Sequence, residues 1–286
     1  MAPRFDRLAG EDLARADAVG ALLTGTAPLG VAYSGGVDSA TLLALAVRAL
    51  GPGDVVALLG VSPSLARSER ATAHETAAFV GARLVEVPTR EGENPDYVRN
   101  GVDRCFFCKD ELFGRIDHEV VRDHGLVAVA YGENADDTLR PDRPGSRAAT
   151  EHRVLRPLAD AGLTKAHVRS LARAMALPVA DKPAAPCLAS RIPHGQEVTP
   201  AKLRQVERAE EVLRELGFSD GRVRHHGDIA RVELPVAEIP RAVGDDVREL
   251  LESGVRAAGF RYVVVDLGGI RSGGFTLPLL AAGHRG

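Results

Sequence analysis

Two stretches of the chain, residues 55–61 and 126–131, are apolar at almost every position, short, and rich in branched side chains. A strand with one wet face alternates apolar with polar residues, whereas a strand apolar throughout must be covered on both faces. Around these runs the pattern alternates between strand and helix. Residues 29–33 and 84–87 read as further strands, and 38–50, 67–81 and 109–124 have helical periodicity, the first stopping at Gly51-Pro52-Gly53. Two-sided strands alternating with helices predict a doubly wound α/β fold around a parallel sheet.

Beyond residue 140 the pattern changes. Residues 141–156 read as a loop with Arg143, Arg147, Arg153 and Arg156, followed by a helix over 164–177 with Thr164 as its cap. Pro183, Pro186 and Pro193 predict an ordered, irregular connection over 181–195. A helix after Thr199-Pro200, a hairpin about Gly227-Asp228, a helix over 245–258 and a strand over 262–266 predict a small α+β unit. The expected division is therefore 1–198 and 199–286, the second part serving substrate binding or oligomerisation. A length of 286 residues suits one large domain or two modest ones.

Composition narrows the function. The 36 Lys and Arg against 39 Asp and Glu leave a net charge of −3, which argues against a dedicated duplex-DNA binder. Aromatic residues are 4% with no Trp, so stacking platforms for single strands are scarce. No apolar run approaches a bilayer span, and the first residues lack a signal-peptide core, so a cytoplasmic location is expected. Three cysteines make a disulfide framework an unsuitable reading.

The most informative motif is Ser34-Gly35-Gly36-Val37-Asp38-Ser39, between the first strand and the first helix of the sheet. Small residues let backbone approach an anion, the helix start supplies unpaired N–H groups, and two hydroxyls add donors. It is a phosphate cradle without the Lys of the G-x-x-x-x-G-K-S/T loop. Asp136 and Asp137 follow the strand over 126–131, at the edge where such sheets place ligands, and paired carboxylates there could hold Mg²⁺. A capping role for an Asp at a helix start is equally compatible.

The 34–39 loop resembles the SGGxDS signature of the PP-loop ATP pyrophosphatases. Narrower likenesses follow in order: Gly101-Val102-Asp103-Arg104-Cys105-Phe106-Phe107-Cys108-Lys109, Gly132-Glu133-Asn134-Ala135-Asp136-Asp137, Arg143-Pro144-Gly145, Cys187-Leu188-Ala189-Ser190-Arg191-Ile192-Pro193, Arg222-Val223-Arg224-His225-His226-Gly227 and Gly269-Ile270-Arg271-Ser272-Gly273. Together they resemble LarE, the ATP-dependent sulfur transferases that help build the nickel-pincer nucleotide of lactate racemase. The resemblance implies ATP with Mg²⁺, held by Ser34, Gly35, Gly36, Val37, Asp38, Ser39, Asp136 and Asp137. It implies adenylation of a carboxylate on a pyridinium mononucleotide and displacement of AMP by sulfur, in a homo-oligomer with a hexamer as one form. A tRNA thiolase of the same superfamily is the alternative; the acidic charge and the lack of a zinc-ribbon cysteine set weigh against it.

The cysteines leave two mechanisms open. In the family the sulfur comes from a cysteine matching Cys187, whose Cβ–S bond breaks to leave dehydroalanine. Some LarE-like enzymes instead join a C-x-x-C, here Cys105 and Cys108, to the third cysteine around a 4Fe–4S cluster with one open iron. Packing of Cys105 and Cys108 as small hydrophobes is the third reading. For the substrate phosphate, forked arginine donors favour Arg143, Arg191, Arg222 and Arg224, with Ser190 and Arg147 beside them. Glu211 reads as an exposed helix charge. His225 and His226 point to opposite strand faces and so do not chelate one ion together.

Overall fold

A computed structural model describes residues 2–139 and 144–271. Arg143 therefore lies outside the described residues, as do Ser272 and Gly273. The chain forms two compact units, Met1–Glu91 with Cys105–Ala185, and Gly92–Arg104 with Pro186–Gly286. Residue 198 falls within the second.

In the first unit, β1 (Leu29–Ala32), β2 (Val55–Val61), β3 (Arg83–Pro88) and β4 (Ala128–Tyr131) form an all-parallel sheet in the order β3-β2-β1-β4. Its two faces bury alternate residues of the same strands. Leu29, Val31, Val55, Ala57, Leu59 and Ala130 belong to one core with the helices Val37–Leu50 and Lys165–Ala174. Val56, Leu58, Val87, Val129 and Tyr131 belong to another with Phe113, Ile116, Ala148 and Ala149. This two-sided cover is why the strands carry no polar alternation, and the expected doubly wound sheet is what forms.

Two expectations are corrected. Residues 144–151, read as loop, form the helix Pro144–Glu151, because Ala148 and Ala149 bury against the sheet and outweigh the turn signal of Pro144-Gly145. The helix expected from residue 109 begins at Arg104, so Cys105 and Cys108 lie on its first two turns. It runs to Arg115 and passes into a π-helical turn over Ile116–Val120. Thr164 caps the Lys165–Ala174 helix as expected, its hydroxyl accepting from the His167 N–H at 3.3 Å.

In the second unit, β5 (Arg222–His226) and β6 (Ile229–Glu233) form the expected hairpin, and β7 (Tyr262–Val265) pairs parallel to β6. The helices Pro200–Glu215 and Asp245–Ala257 complete a small α+β unit. No described helix is long and apolar enough to cross a membrane.

Candidate active site

The chain runs from β1 to β2 and β3 on one side, then returns to place β4 on the other. The strand order thus reverses between β1 and β4, and such a switch point opens a crevice at the carboxyl edge of a parallel sheet. The loop Ser34–Ser39 follows β1 and the loop Gly132–Asp137 follows β4. Topology alone brings the two motifs to one crevice.

The phosphate loop is shaped by its own side chains. Gly35 has φ +73° and a Cβ there would stand 3.0 Å from the Ala73 Cβ, so both conformation and space require glycine. The Ser39 hydroxyl donates to the Gly36 carbonyl at 3.1 Å and accepts from the Ser34 N–H at 3.2 Å. Gly36 is the N-cap of the Val37–Leu50 helix and offers no side-chain cap, which leaves the first-turn N–H groups for an anion. A Cβ on Gly132 would stand 2.7 Å from the Ser39 nitrogen, so the end of β4 lies directly against this helix start.

Asp38 connects the two loops. Its carboxylate accepts from the Lys165 ammonium at 2.5 Å and from the Asn134 amide at 3.3 Å. Asn134 also donates to Asp137 at 2.9 Å and caps the turn Ala135–Thr138. Asp136 accepts from the Lys165 N–H at 2.8 Å. The predicted carboxylates Asp38, Asp136 and Asp137 thus join one network, with Asp136 capping the Lys165 helix. Lys165 was missed in the sequence, and Asn134 stood there within the 132–137 motif without a role of its own. Lysine in the first turn of a helix opposes the dipole, and that misfit was the available signal.

Glu133, likewise given no role of its own within that motif, is 2% exposed. It accepts from the Tyr131 hydroxyl at 2.5 Å and from the Ser146 hydroxyl, with Arg156 at 3.7 Å. Burial, reinforced by Glu133, pushes the Tyr131 phenol far above its ordinary range, so it stays a donor. These bonds fasten the Pro144–Glu151 helix to the end of β4. The same helix stacks Arg147 on the Phe106 ring at 3.8 Å. Phe106 sits between the two cysteines of the Arg104–Arg115 helix, where three-residue spacing sets Cys105 and Cys108 on adjoining turns of one side. Cys105 is exposed and Cys108 half-buried, and neither is in a disulfide.

In the second unit, Cys187 is an exposed free thiol at the N-cap of the 3₁₀ turn Leu188–Arg191. Leu188 and Ala189 are buried, so the backbone is fixed while the thiol remains open. Ser190 donates its N–H to the Cys187 carbonyl at 2.9 Å. Arg191 is buried, 6% exposed, and makes a forked pair with Glu210 at 2.7 and 3.2 Å. Burial opposes its charge, but Glu210 outweighs it and raises the guanidinium above its ordinary range. Arg224 is likewise buried, paired with Glu233 at 2.8 Å and donating to the Ser190 carbonyl at 2.8 Å. Burial, then Arg191 and Arg224, lower the Arg222 pKa. Ser190, Arg191, Arg222 and Arg224 therefore form one positively biased cluster behind the Cys187 turn.

Glu210, rather than the Glu211 considered in the sequence, is the buried acid. It lies seven residues after Leu203 on the apolar stripe of its helix, a period that was legible. His225 pairs with Gln205 at 3.1 Å, and burial lowers its pKa and that of His226. Among the described residues no three His, Cys, Asp or Glu side chains are arranged to hold a metal ion.

Residues 13–231 match the asparagine synthase family model. A pyridinium-3,5-bisthiocarboxylic acid mononucleotide synthase of Lactiplantibacillus plantarum is 36% identical over 246 residues, covering 85% of this chain and 87% of that protein. The chain belongs to the LarE family. It is accordingly an ATP-dependent sulfur transferase built on a PP-loop domain. An uncharacterised protein of Synechocystis sp. is 42% identical over 248 residues, 85% of this chain and 90% of its own length. A further uncharacterised protein, from Methanocaldococcus jannaschii, is 25% identical over 237 residues, 83% and 88% of the two chains.

Proposed function

We propose that this LarE-family chain converts a carboxylate of pyridinium-3,5-dicarboxylate mononucleotide to a thiocarboxylate, in the service of the nickel-pincer cofactor of lactate racemase. The observation that carries the reading is the 36% identity across 87% of the synthase named for that product. A carboxylate oxygen attacks the α-phosphorus of ATP, forming the acyl adenylate and releasing pyrophosphate. A sulfur nucleophile then adds to the carbonyl carbon, and the C–O bond to AMP breaks. AMP is the leaving group that a free carboxylate lacks, which is why ATP is consumed.

The residues divide by stage. The Ser34–Ser39 loop and the helix start cradle the phosphates, Lys165 adds a cation, and Asp38, Asp136 and Asp137 are the carboxylates suited to Mg²⁺. Ser190, Arg191, Arg222 and Arg224, with Arg143, supply positive charge toward the mononucleotide phosphate. Arg191 and Arg224 act through their buried pairs and not as free clamps. Cys187 is the residue for sulfur delivery.

An all-thiolate donor set suits a 4Fe–4S cluster, and Cys105, Cys108 and Cys187 are not in disulfides and none is buried. Bound to these three, the cluster would leave one iron open to carry a labile sulfide. The assembly is proposed as a homo-oligomer, a hexamer being one form, in the cytoplasm.

Mass spectrometry of protein and nucleotide after anaerobic incubation with Mg-ATP and the dicarboxylated mononucleotide tests the reading. A thiocarboxylate with an unchanged chain mass supports cluster-borne sulfide, whereas conversion of Cys187 to dehydroalanine assigns the sulfur to the cysteine itself. No product from iron-replete protein would refute the substrate and favour tRNA thiolation. Cys187→Ser should keep adenylation and lose sulfur transfer, while Asp38→Ala should lose adenylation.

A further inference from the structure

The turn that carries Cys187 hangs on a second stretch of the chain, residues 98–104, in which the sequence reading gave no residue a role. Asn100 is fully buried with φ +60°, a left-handed conformation that asparagine tolerates better than most residues. Its side-chain amide faces the carbonyls of Ile192, Pro193 and Gln196 at 3.2, 2.9 and 3.0 Å. Its own carbonyl accepts from the Gly195 N–H at 3.2 Å and lies 3.1 Å from the His194 ring. Its Oδ1 accepts from the Arg104 guanidinium at 2.5 Å, and the same nitrogen donates to the Ala189 carbonyl at 2.9 Å. Val198 closes the stitching with an N–H to the Val98 carbonyl at 2.9 Å. All of these lie within the second unit.

Backbone carbonyls of an irregular loop have no ladder to satisfy them, so a buried amide and guanidinium that collect several at once fix the loop in one shape. Ala189 is two residues after Cys187, and Arg104 is the residue immediately before Cys105. We propose that Asn100 and Arg104 are positioning residues for sulfur transfer: they fix the turn that carries Cys187. The bonds just described end on the segment that carries Cys187, so the expected effect falls on the second half-reaction. The proposal rests on the assignment of sulfur delivery to Cys187.

The experiment uses the full chain, purified anaerobically, with Arg104→Met, Arg104→Lys and Asn100→Asp. Mononucleotide-dependent exchange of labelled pyrophosphate into ATP reports adenylation, thiocarboxylate formation reports transfer, and the rate of Cys187 alkylation by iodoacetamide reports the turn. Arg104→Met should lower transfer about 10- to 100-fold with exchange within about twofold of wild type, as a displaced nucleophile would. Arg104→Lys, which keeps a charged donor, should recover part of the transfer, and Asn100→Asp should change Cys187 alkylation several-fold. Exchange and transfer falling together would overturn the proposal, as would wild-type transfer in Arg104→Met. If wild-type protein shows no exchange with this mononucleotide, the functional reading fails separately. Alkylation then decides the positioning, and unchanged rates in all three variants would refute it.

Discussion

Gly132→Ala isolates how closely the two nucleotide loops must approach. A Cβ at residue 132 would stand 2.7 Å from the Ser39 nitrogen, 2.8 Å from the Asp38 carbonyl carbon and 2.9 Å from the Ser39 Cα. Ordinary contact begins at 3.4 Å, so relief needs a displacement of 3.4 − 2.7 = 0.7 Å. All three atoms are backbone of the first helical turn, and no rotamer change can provide it. Overpacking of this kind costs about 1–3 kcal/mol, or about 2–12 °C in melting temperature for a unit of this size. The movement would also carry the N–H groups of the phosphate cradle away from their ligand, lowering adenylation about tenfold or more. Differential scanning fluorimetry and pyrophosphate exchange measure the two effects. A variant with wild-type melting and a wild-type KM for ATP would refute the reasoning.

Three further outcomes follow from the same geometry. Lys165→Met should lower the rate of pyrophosphate exchange by about two orders of magnitude, since a cation beside developing phosphate charge is removed; measurement across ATP concentrations checks it. Glu210→Gln leaves the Arg191 charge buried without its partner and should cost about 3–5 kcal/mol in urea unfolding. His152 lies between Asp117 at 2.7 Å and Asp110 at 3.0 Å. Burial works against its charge, but the two carboxylates outweigh it and raise its pKa above 6.5. Its stabilising effect is then complete below the unfolded value and lost as pH rises through the folded one. His152→Gln should therefore cost about 1 kcal/mol or less at about pH 6 and little at about pH 9, read from urea midpoints.

The parallel sheet was legible because its strands are apolar on both faces, and the phosphate loop because glycine and hydroxyl spacing state their purpose locally. The Pro144–Glu151 helix was not, since its short apolar stripe acquires meaning only once Ala148 and Ala149 meet the sheet. Arginines offered by the sequence as anion clamps proved partly committed. Arg191 and Arg224 find Glu210 and Glu233 nineteen and nine residues away, pairings that helix and strand periods do not announce. Lys165 is the reverse case, a surface lysine by pattern that topology delivers to Asp38 across 127 residues. Asn100 and Arg104 stood in plain view beside the C-x-x-C, but apart from each other the partners described above are mostly backbone carbonyls, which leave no mark on side-chain patterning.

The route of the chain also sets a timetable. Residues 92–104 belong to the second unit, whose next residue is Pro186. Between Arg104 and Pro186 there are 186 − 104 = 82 steps of synthesis. At about 5–20 residues per second, the early segment waits about 4–16 s for its partners to be made. During that interval the polar groups of Asn100 and Arg104 stay hydrated while the parallel sheet assembles. No single cut of the chain separates the two units, and a fragment starting after residue 104 would carry the Cys187 loop without the residues that hold it.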